Sequence, residues 1–75
     1  MQNNFDTQPL DEILIKLELK NDDLVEASTE QLTHKQVQKA RKGRRITYNI
    51  KGKVTRALNA VIKEDKYIQK DLFNY

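Results

Sequence analysis

Between Thr33 and Arg56 the chain carries nine basic side chains and no acid, although its 75 residues hold 14 bases and 11 acids altogether. Such a block repels itself if packed inward, so it must lie at the surface and meet the rest of the molecule through few apolar positions. Its first part, Thr33 to Arg45 (THKQVQKARKGRR), offers only Val37 and Ala40, three apart, with Leu32 just ahead. Thr33 suits an N-cap, and Gln36, three residues on, completes a capping box. Gly43 suits a helix stop, where positive φ is usual. The spacing therefore predicts a short helix over 33–42, held by one narrow edge and presenting hydrogen-bond donors elsewhere. Core packing does not explain so many cations on one helix; a surface facing phosphates does.

The remaining charge is distributed unevenly. Residues 1–32 hold eight of the acids and two bases, and residues 57–75 hold three of each sign. The absence of cysteine excludes disulfides and cysteine-ligated zinc, and a single histidine gives no metal site, so no metal or cofactor is expected. No apolar run approaches the ~20 residues of a membrane span, and no signal-peptide core is visible. The expectation is a soluble cytoplasmic protein without a membrane partner, nucleoid-associated if it is bacterial or from a phage. An enzyme is not expected either. A cysteine nucleophile, a phosphate-cradling glycine loop and a metal-ligand cluster are all missing, and Asp22-Asp23 and Glu64-Asp65 fit helix-start charges better than paired catalytic carboxylates.

Residues 1–8 read as a frayed N-terminus with Phe5 as its one anchor. Pro9 fits a first helical position, Asp11 and Glu12 favour the positive helix end, and Leu10, Ile13, Leu14 and Leu17 keep helical spacing. Helix 1 is placed at about 9–18 and helix 2 at about 22–28, with Asn21 as its N-cap and Leu24 and Val25 facing inward. Ser28 to Gln31 resembles a second capping box and allows a further helical turn. After Gly43, residues 44–49 form a loop plugged by Ile46. Ile50, Val54, Ala57, Leu58, Val61 and Ile62 then give the clearest periodic helix, capped by Thr47 or Asn49. Gly52 weakens that helix, which suits the close approach of another group. In the tail, Asp65 is expected to cap a final short helix. Tyr67, Ile68, Leu72, Phe73 and Tyr75 make the tail too apolar for a linker. They suit either a fifth helix over the core or a dimer surface. The fold class expected is all-α, a single small bundle of four to five short helices.

In this order, Leu19-Lys20-Asn21-Asp22-Asp23-Leu24-Val25, then Leu32, Val37, Ala40 and Gly43, then Lys53 to Asn59, resembles the λ-repressor/Cro-type (XRE-like) helix-turn-helix family over about residues 10–62. The turn is lengthened by two residues and lacks the family's usual glycine. The resemblance implies a helix-turn-helix domain over 9–62, with 63–75 as a C-terminal helix or dimerisation extension. It also implies that helix 33–42 enters the major groove of double-stranded DNA. His34, Lys35 and Lys39, flanked by Gln36 and Gln38, would then meet base edges: lysine at guanine O6 and N7, glutamine bidentate at adenine N6 and N7. Arg41, by its angle from Val37, can instead turn toward the protein and an N-terminal acid. Phosphate contacts would fall to Lys42, Arg44, Arg45, Lys51, Lys53 and Arg56, with Thr47, Tyr48, Asn49 and more loosely Asn21 adding neutral donors.

The function implied is sequence-specific DNA binding by a small transcriptional regulator acting as a homodimer. Two other classes share the basic block. An RNA-binding or ribosome-associated protein would use Tyr48 as its only stacking platform within the block. A protein-interaction adaptor would set the basic face against an acidic protein partner.

Overall fold

The computed structural model describes residues 7–75, and the expectations for Phe5 and the first six residues lie outside them. Five helices follow one another: α1 (Pro9–Lys16), α2 (Asn21–Ala27), α3 (His34–Arg41), α4 (Tyr48–Ile62) and α5 (Gln69–Leu72), with no strand among the described residues. The all-α small bundle expected from the spacing is the fold observed.

Only α4, at 15 residues, is long enough to approach stability on its own; the others persist through packing. α4 lies against α2, α3 and α5, while α1 lies against α3 and α5. The apolar edges predicted from periodicity converge in one core of Leu10, Leu14, Leu24, Leu32, Val37, Ala40, Val54, Ala57 and Leu58, closed by Leu72 and Phe73. The Cα radius of gyration is 11.2 Å, close to the ~11 Å of a fully folded chain this long.

Helix starts follow local chemistry. Pro9 stands at the start of α1, ahead of Asp11 and Glu12. At α2 the expected cap is displaced by one residue. Lys20 occupies the cap position, its N–H donates to the Asp23 carboxylate at 2.7 Å, and Asn21 turns inward to 7% exposure. Thr47, rather than Asn49, caps α4 by accepting from the Ile50 N–H at 3.2 Å. Asp65 caps nothing, because α5 starts later and Asp71 accepts the Ile68 N–H at 3.0 Å.

Helix ends and turns use left-handed residues that are mostly not glycine: Glu18 (φ 56°), Gln31 (φ 59°), Lys63 (φ 59°) and Gly43 (φ 74°). After α1, Glu18 N–H bonds Ile15 O at 3.1 Å and Leu19 N–H bonds Leu14 O at 2.8 Å, the double closure of a Schellman motif. Ser28 to Gln31 adds no helical turn. Ser28 Oγ accepts the Glu30 N–H at 3.1 Å, Gln31 reverses the chain, and Leu32 drops into the core.

The tail corrects two expectations. Leu72 (0% exposed) and Phe73 (5%) are buried in the chain's own core, which removes them from any dimer surface. Gln8 is not frayed but 1% exposed. Its N–H donates to Arg41 O at 3.0 Å, and its Oε1 accepts the Asn74 N–H at 2.7 Å, which joins the N-terminal segment, the end of α3 and the tail.

Candidate nucleic-acid interface

The site is built around α3. Val37 and Ala40 are fully buried, fixing the helix by the narrow edge that its sequence provides. Its first turn is closed on both sides: Thr33 Oγ1 accepts the Gln36 N–H and Gln36 Oε1 accepts the Thr33 N–H, each at 3.1 Å. At the far end, Gly43 turns left-handed and the Arg44 N–H bonds back to Lys39 O at 2.9 Å.

Arg41 points inward. Its Nε donates to Asp11 Oδ1 at 2.6 Å and its Nη1 to Asn21 Oδ1 at 2.8 Å, while Asn21 Nδ2 donates to Gln38 Oε1 at 2.9 Å. Asn21 is therefore an internal strut between α2 and α3 and is withdrawn from phosphates. Sequence reasoning missed this role because Asn before two acids is also a good cap.

The solvent side of α3 carries His34, Lys35, Gln38 and Lys39, all exposed, and Lys42, Arg44 and Arg45 continue it. Two clefts flank Lys39. One, of about 560 Å³, lies between α3 and the following loop, with Ile46 and Ile50 as apolar lining and Gln36, Lys39, Arg45 and Thr47 as polar lining. The other, of about 330 Å³, is formed by Gln38, Lys39, Lys42 and Arg44.

The tail shapes this loop from behind. Tyr75 Oη donates to Arg44 O at 2.6 Å, and its ring meets Phe73 edge-on at 6.0 Å. Burial pushes the Tyr75 phenol above its ordinary pKa. Lys51 Nζ donates to the main-chain oxygen of Tyr75 and lies 4.0 Å from its ring centroid.

The expected contact residues fall into two groups. Lys35, Lys39, Lys42, Arg44, Arg45 and Lys53 have no carboxylate within ion-pair distance among the described residues. Thr47, Tyr48 and Asn49 are exposed beside them. The others are engaged internally. Lys51 is held by Tyr75. Arg56 grips Glu30 with two bonds of 2.6 and 2.7 Å, its Nη1 sitting 3.1 Å from where a Cβ on buried Gly52 would stand. That guanidinium holds the Glu30 carboxyl below its usual range, and Glu30 in turn raises the Arg56 pKa. Gln36 and Gln38 each have their carbonyl taken, so neither can pair bidentately with adenine without giving up an internal bond. His34 Nε2 stands 3.6 Å from Asp22, both largely exposed.

The described residues hold no group of three or more side chains suited to a metal, and no helix among them is long and apolar enough to cross a membrane. No protein-family model, curated protein or solved structure matches the chain. Chemically, the surface offers cations without ion-pair partners, interspersed with neutral hydrogen-bonding side chains, on and beside one helix.

Proposed function

We propose that this chain is a small DNA-binding regulator of helix-turn-helix type that inserts α3 into the major groove. The observation that carries the proposal is the set of six cations without carboxylate partners on and around a helix whose opposite edge is buried. Six cations without ion-pair partners on a small domain, four of them around the clefts beside Lys39, favour a polyanion. A helix anchored by one thin edge leaves its exposed face free to enter a groove about 12 Å wide.

In this reading His34, Lys35 and Lys39 meet base edges, and Lys42, Arg44, Arg45 and Lys53 meet phosphates with help from Thr47, Tyr48 and Asn49. Lys51 and Arg56 reach phosphates only by releasing Tyr75 and Glu30. A single unit reads few base pairs, so specific regulation calls for two, with recognition helices ~34 Å apart. With Leu72 and Phe73 buried, Ile68, at 60% exposure, is the most exposed apolar side chain of the tail available to a second copy. Sedimentation at tens of micromolar without DNA tests that pairing, and a monomer there would remove the tail contact.

Tyr48, 76% exposed amid the cations, favours a second reading in which its ring stacks on an unpaired base of RNA. One experiment separates the two: selection from a random duplex pool at two salt concentrations, with an RNA hairpin as competitor. A short, palindromic motif that survives the higher salt supports the DNA regulator. Sequence-blind binding lost with salt leaves a basic patch alone, and capture by the hairpin favours RNA.

A further inference from the structure

We infer that the part-buried chain Asp11–Arg41–Asn21–Gln38 fixes which way round Gln38 presents its amide, turning its NH2 to the groove as the reading group. The inference rests on the proposal that α3 enters duplex DNA.

The direction of the chain is set by two groups that cannot reverse. A carboxylate only accepts and a guanidinium only donates. Arg41 donates from Nε to Asp11 Oδ1 at 2.6 Å and from Nη1 to Asn21 at 2.8 Å. The atom of Asn21 facing Arg41 must therefore be its oxygen, which leaves the Asn21 NH2 facing Gln38. That NH2 donates at 2.9 Å, so the Gln38 atom it meets must be Oε1. An amide with its oxygen held inward turns its NH2 outward. Gln38 is exposed and shares a cleft with Lys39, Lys42 and Arg44, so the outward group lies on the basic face.

The burial of the chain gives it authority over the surface residue. Asn21 is 7% exposed, and the Arg41 and Asp11 side chains are 17% and 15% exposed. Reversing Asn21 would set its NH2 against the Arg41 donor in a nearly dry site, which costs more than any single surface hydrogen bond returns. With Asn21 so fixed, a reversed Gln38 would face the Asn21 NH2 with another donor. Asn21 is thus a positioning residue and Gln38 the reader.

The consequence is a change of base. A free glutamine pairs with adenine by accepting from N6 and donating to N7. With its NH2 outward and its oxygen turned to Asn21, Gln38 suits bases that present acceptors, above all guanine with O6 and N7 side by side, over the amino groups of adenine N6 and cytosine N4.

The test is motif selection on duplex DNA with four proteins: wild type, Asn21→Asp, Gln38→Glu and Gln38→Ala. Gln38→Ala identifies the position read, where its preference flattens. At that position wild type is expected to favour guanine about fivefold over adenine and cytosine, the lower end of what a base-edge contact provides. Asn21→Asp supplies acceptors to both Arg41 and Gln38, turns the Gln38 oxygen outward, and should move the preference to cytosine or adenine with other positions unchanged. Gln38→Glu, on an exposed site, should make the same move toward cytosine without touching the strut, which keeps the test decisive if Asn21→Asp fails to fold. A wild-type preference for adenine, an unchanged motif in Asn21→Asp and Gln38→Glu, or a Gln38→Ala motif identical to wild type would overturn the inference and leave the DNA proposal standing. A wild-type protein that selects no motif would bring both down.

Discussion

Asp11 and Arg41 meet at 2.6 Å with side chains 15% and 17% exposed, so each charge depends on the other for most of what water would have supplied. Asp11→Ala strands the guanidinium in a mostly dry site. We expect a loss of about 2–3 kcal/mol, somewhat below the cost for a fully buried pair, in urea unfolding. An unchanged midpoint would mean that Arg41 simply swings to solvent. Glu30 is half-buried and Arg56 exposed, and their pair should show in pH dependence. Glu30 titrates below its ordinary 4.5, chiefly because Arg56 donates to it. A lowered folded-state value stabilises the fold above the unfolded pKa, and the gain disappears as pH falls through the folded value. Melts of wild type and Glu30→Gln should therefore differ most near neutrality and converge in acid, whereas a constant offset would assign the effect to packing. The cations without partners differ in role. Lys42→Ala or Arg44→Ala should weaken binding to all duplexes alike, while Lys35→Ala should relax preference at one base position. Uniform weakening with intact preference would move Lys35 among the phosphate contacts.

The helices turn on residues that hold left-handed backbone with a side chain in place. Glu18, Gln31 and Lys63 have φ between 56° and 59°, where an L-residue costs ~1–2 kcal/mol relative to glycine. Glu18→Gly and Lys63→Gly should each stabilise by about 0.5–1 kcal/mol once the greater freedom of glycine in the unfolded chain is counted. Gly43→Ala should destabilise by about 1 kcal/mol or more, with φ at 74°. A thermal series of the three variants checks the signs together, and loss of stability in Glu18→Gly would mean its side chain does more than turn the chain. The same positions explain what was legible. Apolar spacing located α1 to α4, and Thr33 with Gln36 and Gly43 marked α3 within a residue, because amphipathic periodicity and capping are local. Turns made by Glu18, Gln31 and Lys63 carry no such mark; tertiary packing imposes them. The inward faces of Asn21 and Gln8 were hidden for the same reason, since each is satisfied by a residue far along the chain. The tail's Leu72 and Phe73 were visibly apolar, but spacing alone could not decide between burial in this chain and burial against another.

Across the whole molecule, salt should act in two opposite directions. In the free protein the six cations repel one another without an ion-pair partner, whereas the close pairs among the described residues are Asp11–Arg41, Glu30–Arg56 and the contact of His34 with Asp22. Screening within a Debye length of about 10 Å at 0.1 M relieves more repulsion than it weakens attraction, because Asp11–Arg41 is sheltered from solvent. Added sodium chloride should therefore raise the melting temperature of the free domain by roughly a few degrees, the shift that ~0.5 kcal/mol produces in a chain of this size. In the complex the same cations displace condensed counterions from the duplex, so added salt opposes binding. With Lys42, Arg44, Arg45 and Lys53 each neutralising about one phosphate, log K should fall against log salt with a slope of roughly −3.6. Measuring both on one preparation makes each result constrain the other. A steep binding slope with a rising melting temperature identifies the unpaired cations as the contact set. A slope of roughly −5 or steeper would mean that Lys51 and Arg56 have left Tyr75 and Glu30 for phosphates. In that case Glu30→Gln, which frees Arg56 in advance, should tighten binding without altering the slope, whereas in the four-contact case it should leave the affinity largely unchanged.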